Sequence, residues 1–135
     1  MNMKAHIITP DGPVFEGEVS GVQLPGYSGG FEVRKGHAPF VSRLKTGKMV
    51  VKKEGSEQLE FAVSGGFTEV SADNVTVLAE EALSPDQIDL QSETDKEQKI
   101  REQLKGHLID SVEHNQLSRE LDIVRNRIRM AHSAG

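Results

Sequence analysis

The polar and apolar positions of the chain follow two different periods. Up to about Leu83, short runs rich in β-branched residues alternate with glycine, proline, asparagine and aspartate, a pattern typical of strands separated by turns. Apolar and polar residues alternate along Gln58–Val63, as they do in a half-buried strand. The predicted strands are Lys4–Thr9, Val14–Val19, Gly21–Leu24, Phe31–Val33, Val41–Leu44, Lys48–Lys53, Gln58–Val63, Phe67–Val70 and Val75–Ala79.

The residues between these runs indicate how the strands are arranged. The predicted turns are Pro10–Pro13, Glu54–Ser56, Gly65–Gly66 and Ala72–Asn74. No segment long enough for a helix separates the strands, which argues against a parallel sheet. Residues 1–83 therefore predict a mainly β domain, built as an antiparallel β-sandwich or a flattened barrel.

After Leu83 the pattern changes to that of helices. Ser84 can cap a helix, Pro85 suits the first helical position, and Gln87 completes a capping box. The following residues, as far as Leu104, contain neither proline nor glycine. We predict a helix that begins at Ser84 and ends near Leu104.

A second helix is predicted from about Asp110 to Ala131, after an interruption at Gly106. Its apolar stripe consists of Leu117, Leu121, Val124 and Ile128, and the first helix offers Ile88, Leu90, Ile100, Leu104 and Leu108. Residues 84–135 therefore predict an αα-hairpin. Because only a few apolar side chains stabilise this hairpin, it needs a surface on which to dock. It is either a stabilising element held against the sandwich or an element that docks in more than one place.

Composition narrows the classes of function. The chain has 135 residues, 36% of them hydrophobic and 27% charged, which suits one small domain with an appendage. The formal net charge of -5 disfavours a general nucleic-acid-binding role. The absence of cysteine excludes disulfides and thiolate chemistry. We expect neither a signal peptide nor direct insertion into a membrane, because the apolar runs are far shorter than those segments require.

The polar residues do not form a recognisable catalytic constellation. The histidines lack metal-site spacing: His6, His37, His107, His114 and His132. Ser42 and Ser64 lack a nucleophile elbow. Gly26, Gly29 and Gly30 superficially resemble a phosphate-binding loop, but no GK[ST] follows and no helix begins there. We expect no catalytic residue, no cofactor and no metal.

Three exposed motifs suit contacts with other proteins. Pro25-Gly26-Tyr27 presents an aromatic side chain on a loop. Gly36 and Pro39 fix a tight backbone that displays His37, either as a satisfied loop histidine or as a binding residue. The last helix carries a basic stretch that is either a solvated face or a surface for an acidic partner. Its members are Arg119, Arg125, Arg127 and Arg129.

Taken together, these motifs resemble the epsilon family of the F-type ATP synthase. The resemblance covers nearly the whole chain and is strongest from Thr9 to Asp89. It rests on an ordered set of short motifs followed by a charged helical hairpin. The motifs are Thr9–Pro10, Phe15–Gly17, Leu24–Gly26, Gly36–Pro39, Leu44–Gly47, Val63–Val70, Asn74–Ala79 and Ile88–Asp89.

The resemblance implies a non-catalytic rotor subunit bound peripherally to a membrane. We expect the cytoplasmic face of the bacterial inner membrane, with the plastid thylakoid as the alternative. The sandwich would bind the gamma subunit through His37, with Thr9 nearby, and would rest on the ring of c subunits. The arginines of the last helix would approach the catalytic alpha and beta subunits and hinder ATP hydrolysis. The residues that would face the c ring are Tyr27, Ser28, Gly29, Gly30 and Glu32.

The chain departs from the family pattern in two places. The acidic residue that the family often carries near Gly30 is missing, and our hypothesis is that Glu32 supplies this charge from the outward face of its strand. Some members bind ATP through an Ile/Leu-Asp motif followed by Arg-Ala. This chain keeps Ile88–Asp89 but has Ser92–Glu93 in place of Arg-Ala. The lost cation and added carboxylate predict weak or no ATP binding.

Two other classes of protein are the alternatives. A free-standing β-sandwich binding module would need an aromatic platform, yet aromatic residues make up only 4% of the chain. A small cupin-like metalloenzyme would need clustered histidines on strands, and the β half contains only His6 and His37.

Overall fold

The computed structural model describes residues 2–134. These residues divide into two compact units, the first ending at Ser84 and the second beginning at Pro85. The first unit consists of strands and the second of helices.

Eight strands of the described residues form one sheet with the order β2-β1-β7-β6-β5-β3-β4, and β8 pairs with β6. Neighbouring strands are antiparallel except β1 and β7, which are parallel. The long stretch of chain between β1 and β7 permits this pair, which the sequence did not predict. The strands are β1 (Met3–Thr9), β2 (Gly12–Val19), β3 (Gly21–Gly26), β4 (Gly29–Val33), β5 (Phe40–Lys52), β6 (Gln58–Val70), β7 (Asn74–Ala79) and β8 (Ala82–Leu83).

A cluster of buried apolar side chains draws on all of these strands. Ile7, Val51 and Val77 are fully buried in it, as expected when a sheet folds over itself into a sandwich. Within residues 2–134 no strand ladder joins β2 to β4, so the sheet is open. The predicted sandwich is confirmed, and the flattened barrel is not formed.

The strands β5 and β6 are longer than predicted, because each combines two of the predicted runs. The prediction of a turn at Gly65–Gly66 is wrong, since both glycines lie inside β6. Their φ angles are +93° and +133°, which only glycine adopts readily. β6 changes its partner here, because Val63 pairs with β8 whereas Gly66 pairs with β7. The two glycines thus let one strand bend without ending.

Replacing Gly66 with alanine is expected to lower the free energy of unfolding by at least ~2 kcal/mol. An added Cβ would lie 2.1 Å from the carbonyl oxygen of Leu78. Chemical denaturation measures the loss. Gly30→Ala is the matched control, because its nearest non-neighbouring atom, the oxygen of Leu24, would lie 3.7 Å away. Equal losses in the two variants would contradict the role given to Gly66.

The helical unit contains α1 (Leu90–Leu104) and α2 (Val112–Ala134), which pack against each other as the predicted hairpin. The predicted stripe is confirmed, because Leu121 and Val124 are buried against Ile100. Leu104, Leu117 and Ile128 pack around these three side chains. The prediction that Leu90 and Leu108 join the apolar face is wrong. Their exposed fractions are 37% and 83%, because Leu90 begins α1 and Leu108 lies beyond its end.

Both helices begin later than predicted. A single 3₁₀ turn follows Ser84, and the α-helix predicted to begin at Ser84 begins at Leu90. Asp89 caps α1 instead, because its carboxylate accepts a hydrogen bond from the backbone nitrogen of Ser92 at 3.1 Å. Ser111 directly precedes α2. Its hydroxyl oxygen accepts a hydrogen bond from the backbone nitrogen of His114, in the first turn of the helix, at 3.1 Å.

Candidate interaction surfaces

The connection between β3 and β4 is a tight turn. Tyr27 and Ser28 form the turn, while Gly29 and Gly30 already belong to β4. Gly26 is required because an added Cβ would lie 2.5 Å from the carbonyl oxygen of Gly29. The short connection holds the two strands in a hairpin.

The aromatic ring of Tyr27 lies at the surface, and 60% of this residue is exposed. The guanidinium of Arg43 lies 4.7 Å from the ring centroid, within the range of a cation–π contact. The backbone nitrogen of Tyr27 donates to the carbonyl oxygen of Arg43 at 2.8 Å. These contacts hold the turn and the ring of Tyr27 against β5.

Glu32 does not lie on the turn but within β4, the strand on which it was predicted. Its carboxylate accepts hydrogen bonds from Lys52 at 2.7 Å, from Gln23 at 3.0 Å, and from Arg34. Lys52, and then Arg34, lower the pKa of Glu32 from 4.5 to about 2. The negative charge predicted for the c ring is therefore neutralised by cations of the sandwich itself.

Replacing Glu32 with glutamine is expected to make the free energy of unfolding depend less steeply on pH below 4.5. Because the folded pKa is lowered, Glu32 stabilises the sandwich above pH 4.5, and this stability is lost as the pH falls toward 2. We expect a contribution of about 1–2 kcal/mol near neutral pH, since the side chain is partly solvated. Urea denaturation at a series of pH values measures it. If the free energy of unfolding of the variant falls below pH 4.5 as steeply as that of the unaltered chain, other carboxylates cause the loss of stability.

His37 is exposed in the segment between β4 and β5. Its Nδ1 lies 2.9 Å from the carbonyl oxygen of Ala38, and its ring centroid lies 4.9 Å from that of Phe40. Gly36, with a φ of +86°, donates its backbone N–H to the oxygen of Ala72 at 2.8 Å. The imidazole is thus displayed on a backbone segment that is tied to the residues before β7.

Thr9 lies at the end of β1, in a different part of the sandwich from His37. Its hydroxyl donates to the oxygen of Gly12 at 3.3 Å and accepts from the nitrogen of Asp11 at 3.2 Å, which stabilises the β1–β2 turn. Thr9 ends β1, whereas the segment of His37 is tied to the residues before β7. Because β1 and β7 are parallel, the two residues lie at opposite ends of this strand pair.

The structure also shows an apolar surface that the sequence analysis missed. Arg43 pairs with Phe67, Phe67 pairs with Leu78, and Leu78 pairs with Ile8. Directly paired side chains project to the same side of a sheet. Phe67 and Leu78 are each 54% exposed, and Val41, on the same side of β5 as Arg43, is 69% exposed. We call Val41, Phe67 and Leu78 the outer apolar face.

A signal for this face was present in the strand pattern. Alternation along Phe67–Val70 places Phe67 on the same side as Glu69 and opposite the buried Thr68 and Val70. An aromatic residue on the polar side of a strand marks an unusual surface position. Contiguous exposed apolar residues of this kind are characteristic of protein-binding surfaces.

The arginines of the last helix fall into two groups. Arg125 and Arg127 belong to ion pairs with α1, to Glu97 and Glu93 respectively, each at 3.3 Å. Arg119 and Arg129 are exposed on the surface of α2. Arg127 is buried, so the predicted basic stretch does not form one continuous exposed face.

The part of the chain that the structure describes contains neither a group of potential metal ligands nor a helix able to span a membrane. Within it, no three His, Cys, Asp or Glu side chains are grouped so that they could hold a metal ion. No helix in residues 2–134 has the length and apolar character needed to cross a membrane.

Comparison with known proteins decides the family. Residues 2–85 match the family model described as the β-sandwich domain of the ATP synthase delta/epsilon chain. The ATP synthase epsilon chain of Bacillus pumilus is 36% identical over 131 residues, covering 96% of each chain. The chain belongs to the ATP synthase epsilon family. The epsilon chain of Bacillus subtilis is 38% identical over 109 residues, covering 81% of this chain and 82% of that one.

Solved structures share the fold of this epsilon-family chain. A chain of the Euglena gracilis mitochondrial ATP synthase superimposes with a TM-score of 0.81 at 21% identity, covering 93% of this chain and 78% of the other. A chain of the Tetrahymena thermophila mitochondrial ATP synthase superimposes with a TM-score of 0.64 at 12% identity, covering 99% of this chain and 96% of the other. At these identities the likeness shows the shared fold.

The residues of the partial nucleotide motif make contacts within the helical unit of this epsilon-family chain. Asp89 caps α1, and Glu93, which stands where some family members have alanine, is buried beside Arg127. A polyphosphate at this position would meet the carboxylate of Glu93 as well as the guanidinium of Arg127. The contacts of Glu93 thus add a physical reason to expect weak ATP binding.

Isothermal titration of the purified chain with ATP is therefore expected to give no saturable heat in the micromolar range. The buried carboxylate of Glu93 would have to leave Arg127 or accept a second negative group beside it, and either costs free energy. ADP titrated under the same conditions is the control for nonspecific heats. Saturable ATP binding with a dissociation constant in the micromolar range would show that Ser92 and Glu93 do not prevent nucleotide binding.

Proposed function

We propose that the chain is a non-catalytic central-stalk subunit of a proton-translocating ATP synthase. In this role the β unit joins the gamma subunit to the ring of c subunits, and the helical unit restrains ATP hydrolysis. The observation that carries the proposal is the outer apolar face, on a chain that belongs to the epsilon family. An exposed aromatic and aliphatic surface across neighbouring strands is stabilised when a partner covers it.

The gamma subunit is the proposed partner of the outer apolar face. Val41 begins this face immediately after the segment that displays His37. At the other side of the face, Leu78 pairs with Ile8, the neighbour of Thr9. His37 and Thr9, although distant from each other, therefore border the same surface, which supports their assignment to gamma binding.

The c ring is the proposed partner of the Tyr27–Ser28 turn. Tyr27 is held in one orientation by Arg43, and a fixed aromatic side chain with a polar tip suits the edge of a protein interface. Glu32 supports this contact indirectly, because its hydrogen bonds from Gln23 of β3 and Lys52 of β5 hold β4 in place in the sheet.

The catalytic alpha and beta subunits are the proposed partners of α2. Arg119 and Arg129 are available to acidic segments of those subunits, and such attraction becomes appreciable only where the interface excludes water. The chain would then be a peripheral protein at the cytoplasmic face of the bacterial inner membrane, held there through the c ring.

ATP hydrolysis by an assembly of alpha, beta and gamma subunits tests both parts of the proposal. The full chain and a chain ending at Ser84 are added in turn, and binding is measured together with activity. We expect both forms to bind and only the full chain to lower the activity. Binding without any difference in activity would remove the inhibitory role of α1 and α2. Failure of both forms to bind would overturn the central-stalk assignment.

A further inference from the structure

A buried ion pair joins the two helices of the hairpin. Nη1 of Arg127 donates to Oε1 of Glu93 at 3.3 Å, and the exposed fractions of the two side chains are 10% and 7%. Lys96 approaches the same oxygen at 3.5 Å from a largely solvated position. The second oxygen of the Glu93 carboxylate is buried without a hydrogen-bond partner in the described residues. Such an arrangement is unusual for a carboxylate on a highly charged helix.

The apolar contacts that accompany this pair are few. Ile100, Leu121 and Val124 form the buried cluster between α1 and α2. Burying two charges has a large desolvation cost, which their mutual attraction offsets only while the partners stay together. A pair of this kind adds little net stability but strongly disfavours any arrangement that buries one charge without the other. It therefore favours two states, with the pair closed or with both groups in water.

We propose that Glu93 and Arg127 form a charge latch that fixes the closed pairing of α1 and α2. The guanidinium of Arg127 then binds a different partner in each of the two states. In the closed hairpin it pairs with Glu93, and in the opened hairpin it is offered to an acidic surface of another protein. The latch itself is a property of this chain, whereas its effect on ATP hydrolysis rests on the proposed function.

A second ion pair provides a matched comparison. Glu97 accepts from Arg125 at 3.3 Å, but the exposed fractions of these side chains are 24% and 40%. Glu97 also lies 3.8 Å from Arg101. Solvated pairs contribute little because water screens the charges. Glu97→Gln thus makes the same chemical change as Glu93→Gln, one turn further along α1, without disturbing the latch.

The absence of cysteine from the chain permits a direct test. Lys99→Cys on α1 and Asp122→Cys on α2 replace exposed residues, and spin labels at these positions report the distance between the helices in the full chain. We expect one short distance in the labelled parent. Glu93→Gln should increase the fraction of separated helices by at least about tenfold, and Glu97→Gln should leave it unchanged.

The double variant Glu93→Leu with Arg127→Met separates a latch from a general loss of packing. Replacing both charges by apolar groups removes the desolvation cost, so the short distance should return. Circular dichroism shows whether the helices of Glu93→Gln persist. If they unfold, recovery of the helical signal in the double variant supports the latch. Equal effects of Glu93→Gln and Glu97→Gln, or no recovery in the double variant, would overturn it.

The consequence for ATP hydrolysis is measured separately. Glu93→Gln should inhibit the assembly of alpha, beta and gamma subunits more strongly than the unaltered chain, because its helices separate more often. A change in distance without a change in inhibition would retain the latch and reject the inhibitory role. No change in distance would reject the latch and leave the central-stalk assignment untouched.

Discussion

Replacing Phe67 with aspartate is expected to weaken binding to the gamma subunit by about 100-fold or more, as for an aromatic residue at the centre of an interface. Phe67 lies between Arg43 and Leu78 in the sheet register and is 54% exposed in the chain by itself. In the complex the new carboxylate would be transferred from water into an apolar contact, where it has no partner. Titration calorimetry with a matched gamma subunit measures the change.

Leu108→Asp is the control for the Phe67 variant. Leu108 is 83% exposed and lies between the helices rather than on the sandwich, so this variant should bind gamma like the unaltered chain. Because Phe67 is half exposed, its replacement should leave the melting temperature of the free chain nearly unchanged. Normal gamma binding by a folded Phe67→Asp variant would show that the outer apolar face is not the contact surface.

Replacing Leu121 with alanine is expected to unfold the helical unit while the sandwich stays folded. Leu121 is 8% exposed and belongs to the small cluster between α1 and α2. Truncating a buried leucine costs about 2–5 kcal/mol, which is large for a unit with so few apolar contacts. Circular dichroism should show loss of helical signal, and hydrogen exchange should show loss of protection confined to residues 90–134.

Leu108→Ala makes the same chemical change at an exposed site and should leave both signals unchanged. Loss of protection in both β1–β8 and the helices of the Leu121 variant would show that the two units unfold together. Retained helices would mean that the small cluster does not hold the hairpin, and that the stabilisation of α1 and α2 comes from elsewhere.

The regular parts of the fold could be predicted from the sequence because local patterns determine them. Alternation along Gln58–Val63 identified Phe61 and Val63 as inward residues of β6 but missed the buried Ala62 between them. A spacing of three and four identified Leu121 and Val124 as core residues. The positions of Gly65 and Gly66 could not be interpreted in this way. Glycine pairs mark both turns and bends inside a strand, and only the partner strand decides between them.

The interaction surfaces were less predictable, because they depend on which strands become neighbours. Phe67 and Leu78 form one face only through the β6–β7 register, which no local pattern encodes. Thr9 and His37 were separated by the parallel pairing of β1 with β7. The burial of Glu93 beside Arg127 likewise requires the packing of two helices, since a carboxylate on a charged helix otherwise indicates a solvated side chain.

The most direct test of the central-stalk assignment is the formation of a complex with the gamma subunit of the same organism. The full chain and gamma are mixed and separated by size-exclusion chromatography with light scattering. We expect a complex with one copy of each chain, which also forms with a chain ending at Ser84 and is lost with Phe67→Asp. Two separate peaks for the folded full chain and gamma would contradict the assignment.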